Sequence, residues 1–231
     1  MFQRISFKLL AIVLLAALGA CAAPVKQLDY TAFKRSQPRS ILVLPPINDT
    51  HDVNASIGVL SRVTLPLAES GYYVVPVGAM EKTFKYNGLT TPDDIAEVSP
   101  AKLRKIFGAD AALYMKVTRY GTVYQVIDST TTVTVEARLV DLRTGDLLWS
   151  GAKSATDQEL GGMQAGVQGG VQGGGVVGLF ANLAAAAVKQ IAKTVRDESV
   201  DVAGLTDDKL LSAGTPNGLL YGPHSPKFGT D

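Results

Sequence analysis

The chain has 231 residues, 22 basic and 21 acidic side chains, and a single cysteine, Cys21. A chain this close to neutral, with no basic stripe and no aromatics interleaved among its cations, gives nucleic-acid binding no electrostatic support. One cysteine also excludes an intramolecular disulfide, so the core must be held by burial alone.

Residues 1–20 have the parts of a secretory leader. Arg4 and Lys8 make a positive start, Leu9 to Leu18 an apolar stretch, and Gly19 and Ala20 a small-residue edge. The apolar stretch is too short for a spanning helix, which needs about 20 residues. The run Leu18-Gly19-Ala20-Cys21 resembles the bacterial lipobox, which implies removal of residues 1–20 and lipid attachment at Cys21. Ala22, where an inner-membrane retention signal carries aspartate, implies sorting to the outer membrane. The alternative is an ordinary signal peptide whose cysteine falls near the cut by chance. Loss of Arg4 and Lys8 with the leader leaves 20 basic residues against 21 acidic ones.

Residues 21–38 lack a period and read as a tether. A mixed domain is predicted over 39–160. Its first strand, Ser40 to Pro45, is a continuous apolar run of the kind buried on both faces of a sheet, stopped by Pro45 and Pro46. A polar loop containing Asp49, Asp52 and Asn54 leads to a helix that Pro66 should kink or shorten and Gly71 should end. Tyr72 to Val77 reads as a strand and Ala79 to Tyr86 as a short helix. Ser99 as N-cap, Pro100 at the first position, Leu103, Ile106 and Phe107 on one face and Gly108 as the stop predict another helix. Strands follow at Ala111–Thr118, Thr122–Ile127, Val133–Leu142 and Leu147–Ala152. Arg143-Thr144-Gly145-Asp146 makes the last turn, and Trp149 reads as a core residue. This order predicts an α/β (α+β) class, a mixed β-sheet with helices packed on one face.

Residues 161–203 form a Gly-rich segment and helix. Glycine recurs every fourth position at Gly162, Gly166, Gly170, Gly174 and Gly178, beside a row of Gln164, Gln168 and Gln172. Three readings stand open. The first is a hinge before a helix from Val176 to about Arg196. In the second, the glycines form a close-packing face for another helix or subunit. In the third the segment inserts into a membrane, where the glutamines would need partners. Residues 204–231 form a tail whose Leu219, Leu220 and Tyr221 are apolar enough to dock.

The residues offer little chemistry. His51 and His224 lie in no triad or metal spacing. Asp49, Asp52 and Asn54 lack the glycine turn and distal glutamate of a calcium loop. Asp93 and Asp94 look like a helix start. The glycine ladder lacks the Gly-Lys-Ser/Thr ending of a phosphate loop. No catalytic set, cofactor or metal site is predicted.

The run Ile41-Leu42-Val43-Leu44-Pro45-Pro46 with Asn48, the hairpin from Leu139 to Trp149, and the Tyr221-Gly222-Pro223 ending resemble the domain-of-unknown-function 799 family of outer-membrane lipoproteins, itself similar to the periplasmic domains of CsgG, LpoB and the N-terminal part of TolB. The resemblance implies a mixed α/β domain hung from the outer membrane, facing the periplasm and working by contact. The expected function is a lipid-anchored, non-enzymatic interaction module of an outer-membrane transport, secretion or assembly complex. Its expected partners are further copies of itself, a CsgG-like lipoprotein or another secretion component, and no nucleic acid. The alternative is a pore-forming or membrane-remodelling component that uses the ladder at 162–178.

Overall fold

The computed structural model describes residues 28–124, 129–161 and 198–231. Cys21 and the five ladder glycines, Gly162 to Gly178, lie outside them, as does the helix expected from Val176 to Arg196.

The chain enters the fold earlier than the tether reading expects. Thr31–Ser36 forms helix α1, and its Phe33 is buried in the main core. Strand β1 (Ser40–Val43) follows. Its apolar run faces both ways: Ile41 and Val43 belong to one apolar cluster, Leu42 and Leu44 to the other. A two-residue strand, β2 (Ile47–Asn48), opens the polar loop. Here the side chains brace the loop by hydrogen bonds within it. The Asn48 amide donates to the Asp52 carbonyl at 2.7 Å, and Asp52 accepts from the Asn54 amide at 2.8 Å.

The single helix expected next is two, α2 (Ala55–Leu60) and α3 (Thr64–Glu69). The break falls before Pro66, which therefore sits in the first turn of α3, where its missing amide costs nothing. Gly71 ends the run with φ +95°. The strand expected at Tyr72–Val77 shrinks to β3 (Tyr73–Val74), because Pro76 starts helix α4 (Val77–Tyr86). Thr91 caps α5 (Pro92–Ala96), accepting from the Asp94 amide at 3.2 Å, with Asp93 and Asp94 in the first turn. Pro100–Phe107 is α6, stopped by Gly108 in the left-handed region as the sequence predicts.

The long strands differ most from expectation. The two strands expected at 111–118 and 122–127 are one, β4 (Ala111–Tyr124), with a bulge between Val117 and Arg119. Strand β5 (Ser129–Asp141) begins inside the threonine run, and β6 (Leu147–Thr156) continues four residues past Ala152. Threonine suits a strand, and cross-strand hydroxyls pair: Thr122 with Thr131 at 2.7 Å, Thr134 with Ser154 at 3.0 Å. Helix α7 (Glu198–Leu211) completes the described fold.

The sheet order is β3-β1-β4-β5-β6, with β2 beside β4. β1 runs parallel to β3 and β4, while β4, β5 and β6 form an antiparallel meander. The mixed α/β class holds, but the helices lie on both faces rather than one. The main cluster packs α2, α3 and α7 against Leu113, Val135, Leu139 and Trp149; a smaller one packs Met80, Phe84, Ile95 and Leu103 from α4–α6 against Leu42, Leu44 and Ala112. Because β4 and β5 far outrun the four-residue β1, α4–α6 cover only one end of the second face.

Candidate functional site: the open sheet face

Past the end of α5, the second face of β4, β5 and β6 forms a groove of about 540 Å³, bordered by Pro45, Ile47 and the last residue of α5, Ala96. Strand register sets its floor. Tyr114 lies opposite Arg138, and Arg138 opposite Ser150; in the next row Lys116 faces Glu136, and Glu136 faces Ala152. Period-2 alternation explains the composition, since Val133, Val135 and Ala137 on β5 point into the main core while Thr134, Glu136 and Arg138 point out.

Two cations in the groove are held differently. The Lys116 ammonium lies 2.8 Å from Asp49 of the loop after β2, and this partner raises its pKa. The Arg138 guanidinium lies 4.6 Å from the centre of the Tyr114 ring. Burial pushes the Tyr114 hydroxyl up while the Arg138 charge opposes it, so the ring stays neutral and the guanidinium lies over it. The floor therefore offers a stacked guanidinium fork, a carboxylate, a hydroxyl and small apolar residues. Such a surface suits a protein contact that forms and dissociates, whose composition stays close to that of ordinary protein surface.

Near the start of β6, residues 28–30 meet the C-terminal tail. The Trp149 indole donates to the Asn217 carbonyl at 3.0 Å, the Leu28 amide to the Asn217 side chain at 3.2 Å, and the Tyr30 hydroxyl to the Gly218 carbonyl at 2.6 Å. Tyr72 donates to the Leu220 carbonyl at 2.5 Å, and Leu219 is buried. The tail docks, as its apolar residues suggest, and it clasps the segment leading back to Cys21. Leu28 is seven positions after Cys21, a reach of at most about 25 Å.

The remaining candidates take structural places. His224 binds the Gly71 carbonyl through its amide at 3.0 Å. Asp141, in the expected hairpin turn, accepts from Ser36 at 2.5 Å and from Arg143 and the Arg143 and Thr144 amides. Among the described residues no group of three His, Cys, Asp or Glu side chains is placed to hold a metal ion, and no helix is long and apolar enough to cross a membrane. One group not singled out from sequence is Asp207, fully buried on α7. No local signal marks it, since it lies in an ordinary Asp-Asp-Lys run.

Residues 28–224 match the protein family described as "Putative lipoprotein GNA1162-like". The chain belongs to this family. The match covers the domain, the clasp and the Tyr221-Gly222-Pro223 ending, so the lipoprotein resemblance holds at the coarser level, under the GNA1162-like name. "Putative lipoprotein NMB1124/NMB1162" of Neisseria meningitidis serogroup B is 45% identical over 216 residues, covering 93% of this chain and 94% of that one. The crystal structure of lipoprotein GNA1162 from Neisseria meningitidis is 48% identical, with a TM-score of 0.50, over 67% of this chain and 99% of that one. The solution structure of Escherichia coli LpoB, at 17% identity and a TM-score of 0.37 over 58% of this chain and 72% of that one, is too distant to bear on function.

Proposed function

We propose that this GNA1162-like protein is a non-enzymatic interaction module, anchored by lipid on Cys21 in the outer membrane, facing the periplasm, within a transport, secretion or assembly complex. The observation that carries the reading is that, among the described residues, helices cover only part of the second sheet face. A domain that needed this face only for stability would cover it with the helices that already cover its first half, yet the strands run on, bearing an exposed, stacked Arg138. Membership of a lipoprotein family and the short reach between Cys21 and the clasped Leu28 support a domain held close to the bilayer and presented from it.

The test is co-isolation after crosslinking in intact envelopes, comparing wild type with Arg138→Glu. Reversal of this surface charge should leave the thermal midpoint unchanged and reduce recovery of the crosslinked partner, whether a second copy or another envelope protein, by about tenfold or more. Equal recovery from both proteins would contradict the open face as the contact surface.

A further inference from the structure

Asp207 has no solvent exposure, and neither of its carboxylate oxygens has a hydrogen-bond partner. An ionised carboxylate so placed is expensive, and such a group keeps its proton instead. Spacing of i, i+4 puts Ala203, Asp207 and Leu211 in one row on α7. The adjoining Gly204 packs on Arg62, and the Leu211 carbonyl accepts from Ser70, so this row looks toward the junction with α2 and α3.

Among the described residues, the charged groups around that junction give Asp207 no compensation. Arg62 is engaged by Asp201 at 3.2 Å. Glu69 on α3 and Asp208 on α7 are both acids. From the sheet, β4 presents Leu113, Met115, Val117 and Tyr120 to this core, and β5 presents Val133, Val135, Ala137 and Leu139. β6 adds Trp149 and Ala155, and its Lys153 is exposed. Lys209 is held by Glu159 at 2.6 Å and the Ser154 carbonyl at 2.9 Å. Burial first, and the Asp208 charge second, push the Asp207 carboxyl well above the ordinary carboxylate range.

We propose that α7 is a proton-dependent latch: the helix seats on the sheet with Asp207 in its acid form, and ionisation of that buried side chain loosens it. Helix α7 supplies Val202, Leu210 and Leu211 to the main core and leads into the docked tail, so its seating governs both. When α7 opens, Asp207 reaches water and regains an ordinary carboxylate pKa, near 3.8. A raised pKa in the closed state therefore gives protection that is full below that value and declines as pH rises toward the closed-state value.

The test is amide hydrogen exchange of the mature, lipidated protein in detergent between about pH 5 and 8, corrected for intrinsic exchange. Protection of 198–211 should fall by about tenfold per pH unit until Asp207 ionises in the closed state, while β1 and β4 amides do not follow. Asp207→Asn, neutral and of the same shape, should remove the slope. Asp208→Asn, which removes the neighbouring negative charge, should end the decline at a lower pH. A wild-type α7 whose protection is flat with pH, a slope retained in Asp207→Asn, or a decline shared equally by β1 and β4 would each overturn the latch.

Discussion

Gly222→Ala should lower the unfolding free energy by about 4 kcal/mol, the range of substitutions that break a special backbone site. The tail crosses the α3–β3 turn at backbone distance: the Gly222 amide donates to the Ser70 carbonyl at 2.8 Å, and the His224 amide to the Gly71 carbonyl at 3.0 Å. A Cβ on Gly222 would overlap the Gly71 carbonyl oxygen, lie 2.6 Å from its carbon and 2.9 Å from the Tyr72 ring. Neither backbone can yield without lifting Leu219 out of the core and taking the Asn217 carbonyl away from Trp149. Gly229→Ala is the control, since Gly229 has φ +78° but nothing near its missing Cβ, and should cost only about 1 kcal/mol. Chemical denaturation measures both; a Gly222→Ala loss no larger than the Gly229→Ala loss would show that the crossing is not tight.

Asp141→Asn should cost about 3 kcal/mol, because it neutralises a buried carboxylate and leaves the donors that converge on it unmatched. Asp141 is 1% exposed and ties two pieces of chain together: α1 through Ser36, and the turn after β5 through the Arg143 and Thr144 amides and the Arg143 guanidinium at 2.9 Å. Burial acts to raise the carboxyl, but these hydrogen bonds outweigh it and hold it at about 2, against an ordinary value of 3.8. A lowered folded-state pKa contributes stability that is present above pH 3.8 and lost as pH falls toward 2, here about 2 kcal/mol. Acid titration of stability should therefore show a drop in this window that Asp141→Asn lacks. An identical acid limb in both proteins would place the stabilising charge elsewhere.

What was legible in the sequence was what local chemistry decides. Ser99-Pro100 and Gly108 bracket α6, Gly71 and Gly145 take positive φ, and Trp149 is buried, because capping, turns and side-chain size act over a few residues. The Ser99 hydroxyl, however, makes no capping bond, so the position was readable and the contact was not. Polar runs misled in the other direction. The strands expected at Thr122–Ile127 and Val133–Leu142 leave out Ser129 to Thr132, yet this run pairs with β4 through hydroxyls and backbone. The alternation Thr134, Glu136, Arg138 marks a polar side of β5, but that this side stays open depends on where α4–α6 land, which no local pattern fixes. Asp207 shows the same limit, since its meaning comes from helices distant in sequence.

The proposed function requires a lipid-anchored domain to meet a partner through its open sheet face. Site-specific photocrosslinking in native envelopes tests this most directly, with the reactive residue placed either at exposed Ala152 on the open face or at exposed Tyr86 on α4. A discrete adduct is expected from Ala152, none from Tyr86, and loss of the Ala152 adduct in Cys21→Ser, which removes the proposed lipid attachment. Equal adducts from both positions, or an Ala152 adduct that survives Cys21→Ser undiminished, would contradict it.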